Sequence, residues 1–519
     1  MLRRRLLTLA VAAAVIVTGV VVGVRATGGD PPRKPPHPTP APAAPGVLRL
    51  LSENAYPTLD PAFLVTPRER DVGRLLYRTL LTYGENGRSL VPDLAVAGGI
   101  PAQDGRTWLY RLRPDVHYDN GDLVTAPDIV RGIRRAQQGS QAPLGLVTSV
   151  EARGSQVVML HFAKPFMDAD ALVALTATAP VPASGPRATG PFKVVSHKPG
   201  VSFHLVRNAW DAAASGPDEV VAELGLDGPT IDRRLAASAG DDAFAVTDKP
   251  VLDLPQDKRV VRGPDGSVQL TAMDIAHGPF ADIKVRQALE VAYPLAATRA
   301  AAGGDAVGSA ATHVLPPPFP TPKDFDPYGL KKLDGSGDPA RARQMLTDAG
   351  YPDGVAITAT VPGTATGRAV GEALRAGLAP AGFRLTVTAV PAAGYYAAVG
   401  TPARQPDLTA YSWSPDWLTP SAVIPPLFTC AAITPTGNHN VADHCDRGFD
   451  QQVAITLAEP DQKRRNAMWE ALEARLVEEA IVVPRTFGVS SSLVGARVKG
   501  ARSTIAFGGA VDLLALTLD

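Results

Sequence analysis

Cysteine is nearly absent from this chain, with two in 519 residues. That excludes a disulfide-dense scaffold and any iron–sulfur or multi-cysteine zinc module. Surplus charge is missing as well, since 51 Lys+Arg balance 51 Asp+Glu. A neutral chain offers no broad basic field for nucleic acid or for acidic lipid headgroups. The linear signatures of common enzymes are also lacking. There is no G-x-S-x-G, G-x-x-x-x-G-K-[ST], H-E-x-x-H, C-x-x-C or G-x-G-x-x-G. The adjacent carboxylates Asp241-Asp242 and Glu478-Glu479 diverge in regular structure, so neither pair is expected to share a proton. No catalytic step and no cofactor is expected. No internal repeat at solenoid or propeller periods is present. What the chain does have is 45% hydrophobic residues, enough for several folded units, with 48 Gly and 49 Pro making it turn-rich.

The long apolar run sits at the start. Arg3, Arg4 and Arg5 precede the uncharged stretch Leu6 to Val24 of 19 residues. As a helix it measures about 28 Å, close to the hydrocarbon thickness of a bilayer. The basic flank stays cytoplasmic, which places the rest of the chain outside. Residues 1–26 read either as a cleaved signal peptide, with Val24-Arg25-Ala26 at the cut, or as a retained anchor. No cysteine follows the run to carry a lipid. Residues 27–46 hold eight prolines in twenty positions and read as an extended spacer.

Residues 47–519 read as the folded body. Val47–Ser52 is a short strand, followed by a polar loop with Asn54 and Tyr56. Thr125-Ala126-Pro127-Asp128 opens a helix, with Thr as the cap, Pro in the first turn and a carboxylate three residues on. Val355–Val361, Arg384–Val390 and Leu408–Trp413 read as strands around a helix at Ala369–Leu378. That alternation predicts βαβ units and largely parallel pairing. The class is α/β in two lobes.

One cluster carries ligand chemistry: Cys430, His439, His444 and Cys445. Its residue types suit zinc, but His444 and Cys445 are neighbours and no second paired spacing exists. Two cysteines fifteen apart in an exported, turn-rich loop point instead to a Cys430–Cys445 disulfide.

Several separated motifs then stand in collinear order. They are Thr58-Leu59-Asp60-Pro61, Leu76-Tyr77-Arg78-Thr79-Leu80-Leu81, Val91-Pro92-Asp93-Leu94-Ala95, and His117-Tyr118-Asp119-Asn120-Gly121 running on to Asp128. Thr189-Gly190-Pro191-Phe192, the run Pro279-Phe280 to Leu289, and Asp338-Pro339-Ala340 with Ala349-Gly350-Tyr351 follow. In this order the chain resembles the family 5 (peptide/nickel/oligopeptide type) solute-binding proteins of ABC importers. The resemblance implies a bilobed periplasmic-binding-protein-like fold of the large three-domain type, with mixed sheets and a hinge. One lobe would comprise 47–80, 188–275 and 489–519, an inserted domain 81–187, and the second lobe 276–488. It implies capture of peptides or peptide-like molecules between the lobes, with permease and ATPase subunits on other chains. A membrane-anchored sensor or scaffold, a nickel or metal-chelate binder and a hydrolase on this frame are the alternatives.

The resemblance also singles out Tyr411 to Pro420. Peptide-binding members carry an aspartate in the similar segment that pairs with the peptide α-ammonium, and Asp416 matches it. Trp413, Trp417 and Tyr411 would wall side-chain pockets, with Asn54 and Tyr56 as further ligand candidates. Two departures stand out. Where dipeptide-type members carry an arginine for the ligand carboxylate, this chain has Val361-Pro362-Gly363-Thr364, with Arg368 further on, which argues against a tight dipeptide-length site. The family's Asn ahead of the Pro-Phe motif is replaced, in Met273-Asp274-Ile275, by aspartate.

Overall fold

The computed structural model describes residues 46–139, 143–211, 216–247, 257–323 and 325–519. The expected membrane segment 6–24 and nearly all of the proline-rich spacer lie outside them. Among the described residues no helix is long and apolar enough to cross a membrane.

The first strand, Val47–Leu51, forms in the short, mostly apolar run and pairs in parallel with Glu219–Glu223 and Ala245–Thr247. Ser202–Arg207 and Phe192–Lys198 complete a five-stranded sheet on the antiparallel side. Leu48, Leu50, Phe203 and Val220 fill its core, joined by Leu516 and Leu518 from the chain end.

A second core lies over a four-stranded antiparallel sheet of Ile100–Pro101, Thr107–Arg111, Val157–Phe162 and Val147–Arg153. The helix Ala126–Gln138 packs there through Ile129 and Ile133. Its start is built as the sequence reads: Thr125 donates to Asp128 Oδ2 from its backbone N–H at 3.0 Å and from its hydroxyl at 2.8 Å. These bonds satisfy groups that a helix end leaves open. Mid-helix, Gly132 passes so close to the 179 backbone that an added Cβ would sit 2.0 Å from the Ala179 carbonyl oxygen. Gly132→Ala gains about 1 kcal/mol of helix propensity. Relieving a backbone collision costs more, so a net loss of about 2 kcal/mol is expected in denaturant melts. An unchanged or raised midpoint contradicts this packing.

The third core surrounds a six-stranded sheet. Leu408–Trp413, Val355–Pro362 and Phe383–Val390 pair in parallel, with the helix Ala365–Leu378 as crossover. The other half departs from the expected parallel pairing. Val260–Met273 runs antiparallel to Leu408–Trp413 and to Val482–Leu493, and Gly308–Ala310 pairs antiparallel at that edge. These strands enter from distant parts of the chain without βαβ crossovers, so nothing holds them parallel.

Two of these strands connect the first and third cores. Val260 and Val261 pack at the first-sheet end, whereas Val268, Leu270 and Ala272 lie in the third core. Between them the register breaks at Pro264/Val268, where Gly266 adopts φ +75°. That conformation suits glycine, and the bulge bends the ribbon where it passes between cores.

Candidate ligand-binding site

Strand Leu408–Trp413 delivers the site. Tyr411 and Trp413 face the same side of the sheet, two residues apart. Tyr411 is buried, its hydroxyl 2.7 Å from His439 Nδ1 and its ring edge-on to Tyr396 at 5.5 Å. Trp413 is half-buried, donates its indole N–H to the Ala422 carbonyl at 2.7 Å, and meets the His439 ring edge at 5.1 Å. Both polar tips are thereby satisfied, which leaves ring surface as the exposed feature.

Beyond the strand, Trp413, Asp416, Trp417 and His439 line a cavity of about 660 Å³. Its far walls come from Leu146 and Lys164 of the second-core region and from Val453 of the helix Arg447–Ala458. Trp417 serves two roles. It is 4% exposed, stands edge-on to Phe166 in the second core, and donates to the Thr419 and Ser421 hydroxyls at 2.8 and 3.0 Å.

Asp416 meets a cation that the sequence reading did not anticipate. Arg70, from the helix Pro67–Leu76 beside the first core, places Nη1 3.2 Å from Asp416 Oδ1 and 2.9 Å from its carbonyl oxygen. Arg70 is buried, and its Nε has no hydrogen-bond partner. Burial pushes the Asp416 carboxyl above its ordinary value, against the downward pull of Arg70. Burial likewise lowers His439, which favours the neutral ring. The carboxylate is therefore costly to keep charged without a cation, and its side chain remains one-third exposed (34%) to accept another.

Residues 89–435 match the family model described as bacterial extracellular solute-binding proteins, family 5. The chain belongs to this family. The glutathione-binding protein of Salmonella typhi is 23% identical over 470 residues, covering 86% of this chain and 89% of that one. A dipeptide-binding protein of Pseudomonas aeruginosa is 22% identical over 487 residues, covering 84% and 89%. Among solved structures, the clavulanic acid biosynthesis oligopeptide binding protein 2 superposes with a TM-score of 0.85 at 28% identity, covering 92% of this chain and 96% of that one. The fold is the bilobed α/β fold of the periplasmic binding proteins.

In this solute-binding protein the expected site residues divide into two groups. Asp416, Trp413 and Trp417 share one cavity, with Tyr411 behind it through His439. Asn54 and Tyr56 do not join them. Asn54 is exposed on its loop, its carbonyl accepting from the Gly225 N–H at 3.2 Å. Tyr56 is 1% exposed, holds a left-handed φ of 40°, and plugs the first core edge-on to Phe203. Cys430 and Cys445 are joined in a disulfide, which removes the thiolates that a zinc site would need. His444 is committed as well, with Nδ1 2.6 Å from the Phe428 carbonyl oxygen.

Two arginines escaped the sequence reading. Arg70 looks like a surface residue between Arg68 and Arg74. Arg485, on Val482–Leu493, is 7% exposed with an unpartnered Nε, and no carboxylate pairs with it among the described residues. It lies two strands across the sheet from Tyr411, beside the pairings of Leu270 with both Tyr411 and Pro484. Neither position carries a linear signature.

Proposed function

We propose that this family 5 protein captures peptides or peptide-like small molecules for an ABC importer, holding the ligand's α-ammonium on Asp416. The observation that carries the reading is the Asp416–Arg70 pair. A partly open carboxylate in an aromatic-walled cavity is neutralised by a cation from another core. A ligand ammonium joins Arg70 there through the exposed part of the carboxylate, with a charge-assisted hydrogen bond of its own. The names of the relatives, which bind glutathione and dipeptides, support the same ligand class.

Trp413 and Trp417 supply rigid apolar walls, and Arg485 is the cation suited to an acidic group on the ligand. The separate cores support the three-part division read from the sequence, with the passage between the first and third cores, and hinge motion, at the 264–268 bulge rather than after residue 275. Closure then buries the ligand and presents the protein to permease and ATPase subunits on other chains. Residues 6–24 act as an export signal or as an anchor that retains the protein at the outer face of the cytoplasmic membrane.

Calorimetry with a free-amine tripeptide and its N-acetylated form tests the reading. Acetylation removes the ammonium, so binding is expected to weaken about 30-fold, or about 2 kcal/mol. Equal affinities, or no binding of either peptide, would overturn it.

A further inference from the structure

A second group of ligating side chains lies away from the cavity. Asp274 follows the strand Val260–Met273, whose last residue pairs with Leu408. That is the end of the Leu408–Trp413 strand opposite Trp413. His277 comes three residues later, and Asp443 arrives from the disulfide-closed loop between Cys430 and Cys445. One donor atom from each of the three lies within 4.8 Å of the others.

The local hydrogen bonds leave one oxygen of each carboxylate available. Asp274 Oδ1 accepts from the backbone N–H groups of Ala276 and His277 at 3.1 and 3.2 Å. Asp274 Oδ2 meets only His277 Nδ1, at 3.3 Å. Asp443 Oδ1 accepts from the Asn438 amide at 3.2 Å. Asp443 Oδ2 is buried with no partner, on a residue only 7% exposed. Nothing in a turn or a loop requires two carboxylates to approach within 4.8 Å while one buried oxygen goes without a partner.

We propose that Asp274, His277 and Asp443 form a binding site for a zinc-type divalent cation, which fastens the disulfide loop to the end of the third sheet. One imidazole nitrogen and two carboxylate oxygens are a borderline donor set suited to zinc. Ligands about 2.0–2.1 Å from a tetrahedral ion stand about 3.3 Å apart. The Asp274–His277 separation already matches that spacing. The His277 side chain is 72% exposed, so an ion has an entry path and water completes its shell. The cation neutralises the facing carboxylates and occupies the orphaned oxygen. The site is independent of peptide capture, since none of its residues lines the ligand cavity.

Equilibrium dialysis of the chelator-stripped protein against Zn²⁺, with metal counted by mass spectrometry, tests the site. One tightly held ion per chain is expected, with a rise in melting temperature on zinc addition. His277→Ala alters an exposed side chain, so the fold survives, and affinity is expected to fall at least about tenfold. Asp443→Asn keeps the shape and the Asn438 contact while removing the repulsion. It is expected to melt at or above the zinc-free wild type and to lose the zinc-induced rise. No stoichiometric zinc in the wild type, or equal zinc binding by both variants, overturns the proposal.

Discussion

Asp416→Asn is expected to weaken the binding of a free-amine peptide about 100-fold, or about 3 kcal/mol. The substitution keeps the size of the side chain but removes the charge that an ammonium needs. It also leaves the buried Arg70 without its counter-ion in the free protein. The variant should therefore bind a free-amine peptide and its N-acetylated form almost equally, because the group that distinguishes them is gone. Calorimetry on the four combinations isolates that coupling. A full preference for the free amine in the variant would remove Asp416 from the ligand site. Acidification should mimic the substitution. Burial holds the Asp416 carboxyl above its ordinary value of 3.8, so affinity is lost as pH falls through that raised value. The Arg70 guanidinium beside it pulls the carboxyl downward and so limits the shift.

Glu473 is expected to make stability strongly dependent on pH. It lies on the helix Gln462–Glu478 with 0% exposure, accepts the Leu315 backbone N–H at 2.6 Å, and has no partner for Oε2. Burial pushes its carboxyl from 4.5 to about 8. Between those values the folded protein holds a proton that the unfolded chain has released. Stability is therefore fully present below about pH 4.5, falls by about 1.4 kcal/mol per pH unit as pH rises, and levels off above about pH 8, a total of about 5 kcal/mol. Glu473→Gln keeps the carbonyl acceptor for the backbone and cannot ionise. Denaturant melts should place the two proteins close together at pH 5 and the variant clearly ahead at pH 9. Parallel pH profiles would show that Glu473 does not titrate in this window.

The same physical distinction separates what was legible from what was not. The Thr125–Asp128 cap, the strand Leu408–Trp413 and the helix after Val355–Pro362 were readable because each depends on neighbours a few residues apart. Asp416 and Trp413 were singled out through the family's segment, which is itself local, and the structure places both on one cavity. Tyr56 was misplaced because an aromatic in a polar loop looks like a binding residue. Only packing shows its ring closing against Phe203 inside the first core. The parallel half of the third sheet followed from its crossover helix. The antiparallel half depends on strands more than a hundred residues apart in the chain, which carry no mark of their partner.

By itself the sequence determined the α/β class, the order of the elements, the family and the Tyr411–Pro420 segment that carries Asp416. Tertiary structure alone decided which charges meet. Arg70 reaches Asp416 across 346 residues, Trp417 joins the second core, Arg485 is buried with no carboxylate paired to it among the described residues, and Asp443 comes close to Asp274. Secondary structure is set by periodicity and caps, whose energies are local. These contacts are set by burial of three cores, a non-directional force summed over many side chains that leaves no trace at any one position. For a solute-binding protein, that second level holds most of the chemistry of recognition.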